Sequence, residues 1–231
     1  MDKNDFSSRI IHFDKDFCVV TKFAGENSQS EIPELFADEI KNRCRERGDK
    51  INIKIIECPH RLDMCVSGVQ IICFSEESLK FFSNQFAQNN VKKTYFAIVE
   101  SKEFPQEGTL KNYITFNTDK KKAYLYDYEK RKSKVAILDY FVFGSGVNYS
   151  YLEVHPKTGR THQIRCQLAN EGMHIKGDVK YGARRSDSLP GIRLFAYSVQ
   201  VGQNIYSSDF PEKDNLWSDF MEKWVDFNKI G

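Results

Sequence analysis

The apolar positions in the first half of the chain recur with two different periods. Short apolar runs predict strands in "IIHFDKDFCVVTK", in "INIKIIE" and at Val69–Phe74. Helical spacing predicts one helix opened by Pro33 and a second helix that follows Ser75, an N-cap candidate. The segment "VKKTYFAIVE" returns to strict alternation, which places Tyr95 on one face of a further strand.

Strand-like segments dominate the second half of the chain. They lie at Asn112–Phe116, Ala123–Tyr128, Ala136–Phe143, Tyr149–His155 and Ile192–Val201. The segment "TGRTHQIRCQLANEG" predicts a helix that Thr161 caps and Gly172 ends. The spacing of Trp217 and Trp224 predicts an amphipathic helix at the close of the chain. Runs of strands interrupted by a few helices predict an α+β fold with a mixed, mostly antiparallel sheet flanked by helices.

The composition is ordinary for a globular protein and excludes few classes of function. The 231 residues contain no internal repeat and no linker, so we expect a single domain over residues 1–231. A formal net charge of +2 means that a nucleic-acid site would depend on local clustering of charge. The sequence predicts neither a signal peptide nor a membrane span. Six cysteines without a CxxC pair favour reduced thiols and a cytoplasmic location.

Charged residues are concentrated just before one buried strand, in "PHRLDMCVSGVQIICFS". In most chains such a cluster is a solvated turn. Here "HRLDMCVSG" resembles the H-R-L-D-x-x-x-S-G signature of the RluA-like pseudouridine synthases. The segments "KTYFAIVE", "TGRTHQIRCQL" and "GDVKYG" resemble three further motifs of that family, in the family's order. Together the four motifs are highly specific.

The resemblance implies a pseudouridine synthase catalytic domain with an active-site cleft across a bent central sheet. It implies that Asp63 is the catalytic nucleophile, Tyr95 the aromatic neighbour of the target base and Arg165 the partner of Asp63. The implied reaction isomerises a uridine in structured RNA, either ribosomal or transfer RNA, after the base has flipped out. It implies no cofactor and no metal.

The chemistry of these residues supports the implied roles. A carboxylate attacks only when it is ionised, and burial under a uracil raises the pKa of an Asp from about 3.9 by up to roughly 3–5 units. An Arg within about 4–6 Å lowers such a pKa by about 1–3 units, so we expect Arg165 to keep Asp63 charged. Tyr95 could stack on the base, which is worth about 1–3 kcal/mol, or help to move the proton off the base carbon.

Other residues of the motifs are candidates for RNA contact. Arg61 could occupy the space that the flipped base leaves, or it could hold a phosphate. We expect Lys157 and Arg160, beside a helix start, to bind phosphate. His60 is a further RNA-binding candidate, and His162 either orients its loop or meets the RNA backbone. The basic, tyrosine-rich segment 119–134 could also contact RNA, although a solvated edge strand is the favoured interpretation.

Two features raise alternatives. His162 and Cys166 lie four residues apart, which suggests zinc, but the spacing matches no common zinc ligand set, so we expect no metal. "KFAG" stands where the family usually has K-P-x-G, and we expect Phe23 in place of Pro to loosen a loop.

We expect a monomer without the N-terminal S4 RNA-binding domain that many relatives have. The alternatives to a synthase are a non-catalytic RNA-binding or chaperone protein on the same fold and an Asp-dependent nucleosidase. An assay for free uracil would identify the nucleosidase.

Overall fold

The computed structural model describes residues 1–48, 53–100, 104–210 and 214–230. Within these residues the strands are β1 (Ile10–Phe13), β2 (Phe17–Lys22), β3 (Ser67–Cys73), β4 (Lys92–Glu100), β5 (Glu107–Asn117), β6 (Lys122–Tyr126), β7 (Lys134–Ser145), β8 (Tyr149–Pro156), β9 (Leu194–Val201) and β10 (Asn204–Ser207). The helices are α1 (Glu31–Glu46), α2 (Glu76–Ala87), α3 (Gln163–Asn170) and α4 (Asn215–Ile230), with a short 3-10 helix at Val179–Tyr181.

These elements confirm an α+β fold with a mostly antiparallel sheet. Ser75 caps α2 as expected, because its Oγ accepts a hydrogen bond from the Ser78 N–H at 3.1 Å. The expectation that Thr161 caps α3 is wrong. The cap position belongs to His162, whose φ of 57° is left-handed and whose side chain makes no capping bond. The strand expected in "INIKIIE" lies partly outside the described residues, and its residues 53–56 form no strand.

The chain divides into two compact units. The first contains Met1–Val91 and Ala196–Glu212, and the second contains Lys92–Phe195 and Lys213–Gly231. Strand β9 begins in the second unit and continues in the first. The expected single domain and the expected cleft across a bent sheet stay predictions.

In the first unit, the strand order is β1-β2-β3-β9, with β10 paired to β9. Strands β2 and β3 run antiparallel, and both faces are buried because each bears a helix. Alternate residues of β2 therefore enter different cores: Cys18 and Val20 pack with α1, and Val19 packs in the cluster that contains Phe82 of α2. This double burial explains why the two strands are almost continuously apolar.

In the second unit, the strand order is β4-β8-β7-β5-β6, and the neighbouring strands pair antiparallel. Helix α3 contributes Cys166 to a core cluster with Ile114 of β5 and Ala123 of β6. Helix α4 packs through Phe220, whose ring lies 5.0 Å from that of Phe96 on β4. Helix α4 thus packs against β4, the strand that bears Tyr95, and the packing of helix α3 fixes the loop that precedes it.

Among the described helices, none is both long and apolar enough to cross a membrane.

Candidate active site

Asp63 lies in the first unit, on a tight turn that leads into β3. The Val66 N–H donates to the Asp63 carbonyl oxygen at 2.9 Å, which closes the turn. Asp63 itself is partly buried, whereas Met64 beside it is 59% exposed. The residue before it is fixed as well, because the buried Ser28 hydroxyl bonds both the N–H (3.0 Å) and the carbonyl (3.2 Å) of Leu62. The carboxylate is therefore carried by an ordered backbone with access to solvent.

Gly68 of the same motif is required by close packing. A Cβ at this position would lie 2.2 Å from the carbonyl oxygen of Ala196 on β9, and the φ of Gly68 is +128°. Only glycine permits this approach of two backbones. The Ser-Gly pair of the motif thus opens β3 beside β9.

His60 is held by protein contacts. Its Nε2 accepts a hydrogen bond from the Ile71 N–H at 3.0 Å, and its ring stacks on that of Phe86 with 4.4 Å between centroids. Its carbonyl accepts from the side chain of Gln70 at 3.0 Å. Arg61, the next residue, is exposed. Of these two candidates, Arg61 presents the more accessible side chain.

Lys22 was not predicted as part of the site. Its side chain is fully buried, and its Nζ donates to the carbonyl oxygens of Phe23 at 2.9 Å and Val66 at 2.6 Å. The carbonyl oxygens of Asp63 and Met64 lie 3.4 Å from the same nitrogen. The sequence signal was a charged residue at the end of a strand that is otherwise apolar, since buried charges need such partners.

Arg165 lies in the second unit, on α3, and is 5% exposed. Its Nε and Nη2 bind the two carboxylate oxygens of Asp178 at 2.7 and 2.8 Å. Its guanidinium carbon lies 4.9 Å from the centroid of the Tyr181 ring. A bidentate pair of this kind fixes the plane of the guanidinium. The expected pairing of Arg165 with Asp63 stays a prediction.

Tyr181 also organises His162. The His162 Nδ1 and the Tyr181 hydroxyl are hydrogen-bonded at 2.8 Å, and the same hydroxyl accepts from the Ala123 N–H at 2.8 Å. Burial raises the pKa of the Tyr181 phenol well above its ordinary value, so the hydroxyl keeps its proton. His162 therefore has a clear protein partner that orients its ring.

Tyr95 and two basic candidates lie elsewhere in the second unit. Tyr95 is half-buried on β4, opposite Val154 of β8. Lys157 forms an exposed ion pair with Asp139 at 2.7 Å. Arg160 donates through Nε to the Val135 carbonyl at 2.9 Å.

One buried side chain, that of Gln163, holds the loop that precedes α3 in place through hydrogen bonds. The Gln163 Oε1 accepts from the Thr158 hydroxyl at 2.7 Å and from the Arg160 N–H at 3.0 Å. Its Nε2 donates to the Ile137 carbonyl at 3.0 Å. This loop, which carries Lys157 and Arg160, is therefore well ordered. Gln163 holds it in position, a role that the motif by itself did not reveal.

His162 and Cys166 are the two residues that raised the zinc alternative. Within residues 1–48, 53–100, 104–210 and 214–230, no three His, Cys, Asp or Glu side chains form a group that could hold a metal ion. Cys166 is buried and its Sγ contacts the Gln163 carbonyl oxygen at 3.4 Å. His155 pairs with Glu153 at 2.9 Å.

Comparison with known proteins identifies the family. A family model described as RNA pseudouridylate synthase matches residues 16–170. That range contains the Asp63 turn, Tyr95 and Arg165. The chain therefore belongs to the RNA pseudouridylate synthase family, as its motifs predicted.

Two curated relatives show how far the likeness extends. Ribosomal large subunit pseudouridine synthase D of Borreliella burgdorferi is 34% identical over 161 residues, which are 67% of this chain and 48% of that protein. An uncharacterised RNA pseudouridine synthase of Haemophilus influenzae is 26% identical over 211 residues, which are 90% of this chain and 89% of that protein. The chain thus spans about half the length of the first relative and most of the second.

Solved structures share the fold. Human RNA pseudouridylate synthase domain containing 4 superposes with a TM-score of 0.71 at 20% identity, over 96% of this chain and 94% of that one. Human RNA pseudouridylate synthase domain containing 1 gives 0.66 at 20% identity, over 88% and 82% of the two chains. At this identity the likeness establishes the architecture alone.

Proposed function

We propose that this chain isomerises uridine in structured RNA to pseudouridine. The bond between N1 of uracil and the ribose breaks, the base turns, and a bond forms between C5 and the same ribose carbon. C5 loses a proton and N1 gains one, so the reaction is balanced without an oxidant, a reductant or a cofactor. The observation that supports it most is the family match over residues 16–170, which contains the three candidate catalytic residues.

In the proposed reaction, Asp63 is the nucleophile. Its turn is closed by a backbone hydrogen bond and remains accessible, as a group that attacks a bound nucleotide must be. Arg165 would pair with Asp63, and its bidentate contact with Asp178 would hold the guanidinium in one orientation. Tyr95 would stack on the flipped base.

The proposed RNA contacts use the remaining candidates. Arg61 is exposed and would enter the RNA stack or hold a phosphate. Lys157 and Arg160 would bind phosphates near the start of α3. His60 and His162, each of which has one ring nitrogen hydrogen-bonded within the protein, are the remaining proposed RNA contacts.

We propose ribosomal or transfer RNA as the substrate and a cytoplasmic monomer as the active form. The name of the Borreliella relative supports large-subunit ribosomal RNA as the first substrate to try. Deletion of the gene, followed by carbodiimide mapping of pseudouridine in both RNA classes, would identify the uridine. Loss of a modification in transfer RNA alone would contradict the ribosomal assignment.

The decisive experiment compares Asp63→Asn with Asp38→Asn, a matched change at a 96% exposed carboxylate on α1. RNA tritiated at uracil C5 is incubated with each variant, and released tritium, free uracil and strand length are measured. We expect Asp63→Asn to bind RNA but release no tritium, and Asp38→Asn to match wild type. Normal turnover by Asp63→Asn would exclude it as the nucleophile. Free uracil would identify a nucleosidase, and wild-type protein that binds RNA without releasing tritium would identify a chaperone.

A further inference from the structure

A cavity of about 310 Å³ lies between the first two turns of α2, the start of β2 and the hairpin of β9 and β10. The whole wall of this cavity belongs to the first unit. Four aromatic rings and two carboxylates line it, those of Phe17, Phe81, Phe82, Tyr206, Asp16 and Glu77. Its volume is near the lower end of the range of about 300–1,000 Å³ for binding sites. The cavity therefore has room for one side chain.

The four rings of the cavity form one continuous cluster. The Phe82 ring packs edge to face against those of Phe17 and Phe81, with 4.9 and 5.2 Å between centroids. The Phe17 ring lies 6.2 Å from that of Tyr206. Phe82 is buried in the core, whereas Phe81 is 50% exposed. Half of a large apolar side chain is thus left in water at the cavity, and a bound peptide segment would cover it.

The charge at the cavity is negative. Glu77 is exposed, and its carboxylate has no ion pair within the described part of the chain. Asp16 pairs with Lys15 at 3.7 Å, but Lys15 is 72% exposed, so this pair is weak. No lysine or arginine is among the described residues that line the cavity. Such a wall repels the phosphates of RNA and favours a cation with an apolar body.

The same unit contains an occupied site of this chemistry, around Arg9. The guanidinium carbon of Arg9 lies 4.7 Å from the centroid of the Phe23 ring and 4.9 Å from that of Phe36. Its Nη2 binds the Glu26 carboxylate at 2.6 Å, and the whole side chain is buried. Aromatic faces and a carboxylate therefore already hold one guanidinium inside this protein.

The site around Arg9 also contains the residue that departs from the family motif. The Phe23 N–H donates to the Glu26 carboxylate at 2.8 Å, a bond that proline could not make. Phe23 is 3% exposed, so this loop is fastened and not loosened as expected.

We propose that the cavity between α2 and the β9–β10 hairpin is a docking site for an arginine side chain from a basic, extended segment of a partner protein. Arginine suits it better than lysine, because a planar, weakly hydrated guanidinium stacks on aromatic rings and binds carboxylates through two N–H groups. The aliphatic stem would lie against the apolar part of the wall. Basic segments of this kind are typical of proteins that bind nucleic acid. The inference goes beyond the proposed reaction and does not depend on it.

NMR titration of the full chain measures the docking, with the methyl signals of Val201 in the cavity wall as reporters. The probe is the acetylated and amidated peptide Ser-Leu-Arg-Leu-Ser. The control peptide has citrulline in place of arginine, which keeps the shape of the side chain and removes its charge. We expect the arginine peptide to shift the Val201 signals. The citrulline peptide should bind about 10-fold more weakly, since it makes neither the cation–ring contact nor the charged hydrogen bond.

Two variants test the wall of the cavity. Phe81→Ala removes the half-exposed ring and Glu77→Gln removes one carboxylate, so each should weaken binding of the arginine peptide by about 3- to 10-fold. The matched controls are Phe227→Ala, at a ring on α4 that is 42% exposed, and Glu34→Gln. Glu34 lies in the first turn of α1, as Glu77 does in the first turn of α2. Both controls should bind as wild type does. Should Phe81→Ala fail to fold, the comparison of Glu77→Gln with Glu34→Gln decides alone.

Five results would overturn the inference. The first two are an arginine peptide that does not bind better than the citrulline peptide, and binding that Phe81→Ala and Glu77→Gln leave unchanged. The third is binding of N-acetylarginine amide as tight as that of the peptide, because the site would then take a small cation and not a segment. The fourth is a shift of the Val201 signals by RNA alone, which would assign the cavity to RNA. The fifth is a wild-type dimer in sedimentation that Phe81→Ala dissociates, which would assign it to a second copy.

Discussion

The guanidinium of Arg165 binds both carboxylate oxygens of Asp178, 13 residues further along the chain, at 2.7 and 2.8 Å. Both side chains are almost fully buried. The two residues belong to different segments, "TGRTHQIRCQL" and "GDVKYG", each of which resembles a separate motif of the family. Their contact gives a physical role to the second motif: its Asp178 carboxylate holds the Arg165 guanidinium of the first motif in place.

Replacement of Asp178 by Asn tests that purpose. The variant removes a buried negative charge from a paired guanidinium, which costs about 3–5 kcal/mol of unfolding free energy. Urea unfolding measures the loss. The matched control is Asp226→Asn, which breaks an exposed pair with Lys229 and should cost less than about 1 kcal/mol. Equal stability of the two variants would contradict a structural role for the buried pair.

Replacement of Tyr181 by Phe keeps the ring beside Arg165 and removes the hydroxyl. The Ala123 N–H then loses its acceptor and His162 loses this hydrogen bond, so we expect a loss of about 1–3 kcal/mol of unfolding free energy. Thermal unfolding measures it. Tyr128→Phe, at a residue that is 66% exposed, should leave the melting temperature unchanged. Equal melting temperatures of the two variants would show that the Tyr181 hydroxyl makes no net contribution to stability.

Replacement of Gly68 by Ala should destabilise the first unit strongly. The new Cβ would meet the Ala196 carbonyl at 2.2 Å, and the positive φ adds backbone strain. Gly25→Ala is the control, because Gly25 has a positive φ of +93° but open space around it. Strain alone costs about 1–3 kcal/mol. In urea unfolding, the loss of unfolding free energy should therefore exceed that range for Gly68→Ala and stay within it for Gly25→Ala.

The pair of His155 and Glu153 predicts a pH dependence of stability. The hydrogen bond that His155 Nε2 donates to the Glu153 carboxylate raises the pKa of His155, so the folded state holds this proton to higher pH than the unfolded state. The stabilisation is complete below the ordinary pKa of about 6.5 and is lost as pH rises through the raised value.

His155→Gln isolates this contribution. The unfolding free energy of wild type relative to the variant should fall as pH rises above about 6.5, by less than about 1 kcal/mol because His155 is 45% exposed. A difference that rises with pH over this range would reverse the assignment.

Local pattern accounted for most of the secondary structure. A short apolar run predicted β2, period-two spacing predicted β4 and helical spacing predicted α2, because the local pattern of apolar side chains marks which residues can enter the core. The cap of α3 was predicted wrongly at Thr161. A left-handed His162 that bonds Tyr181 stands there instead, and such a conformation is selected by a distant partner.

The sequence by itself determined the family, most of the strands and helices along the chain, and the candidate residues Asp63, Tyr95 and Arg165, because these are written in short motifs and in local periodicity. Only the tertiary structure decided that Asp178 holds Arg165, that Gly68 makes room for Ala196, and that Lys22 lies beneath the Asp63 turn. Each of these contacts joins residues that the chain separates, and no local period encodes which buried charge will find which partner.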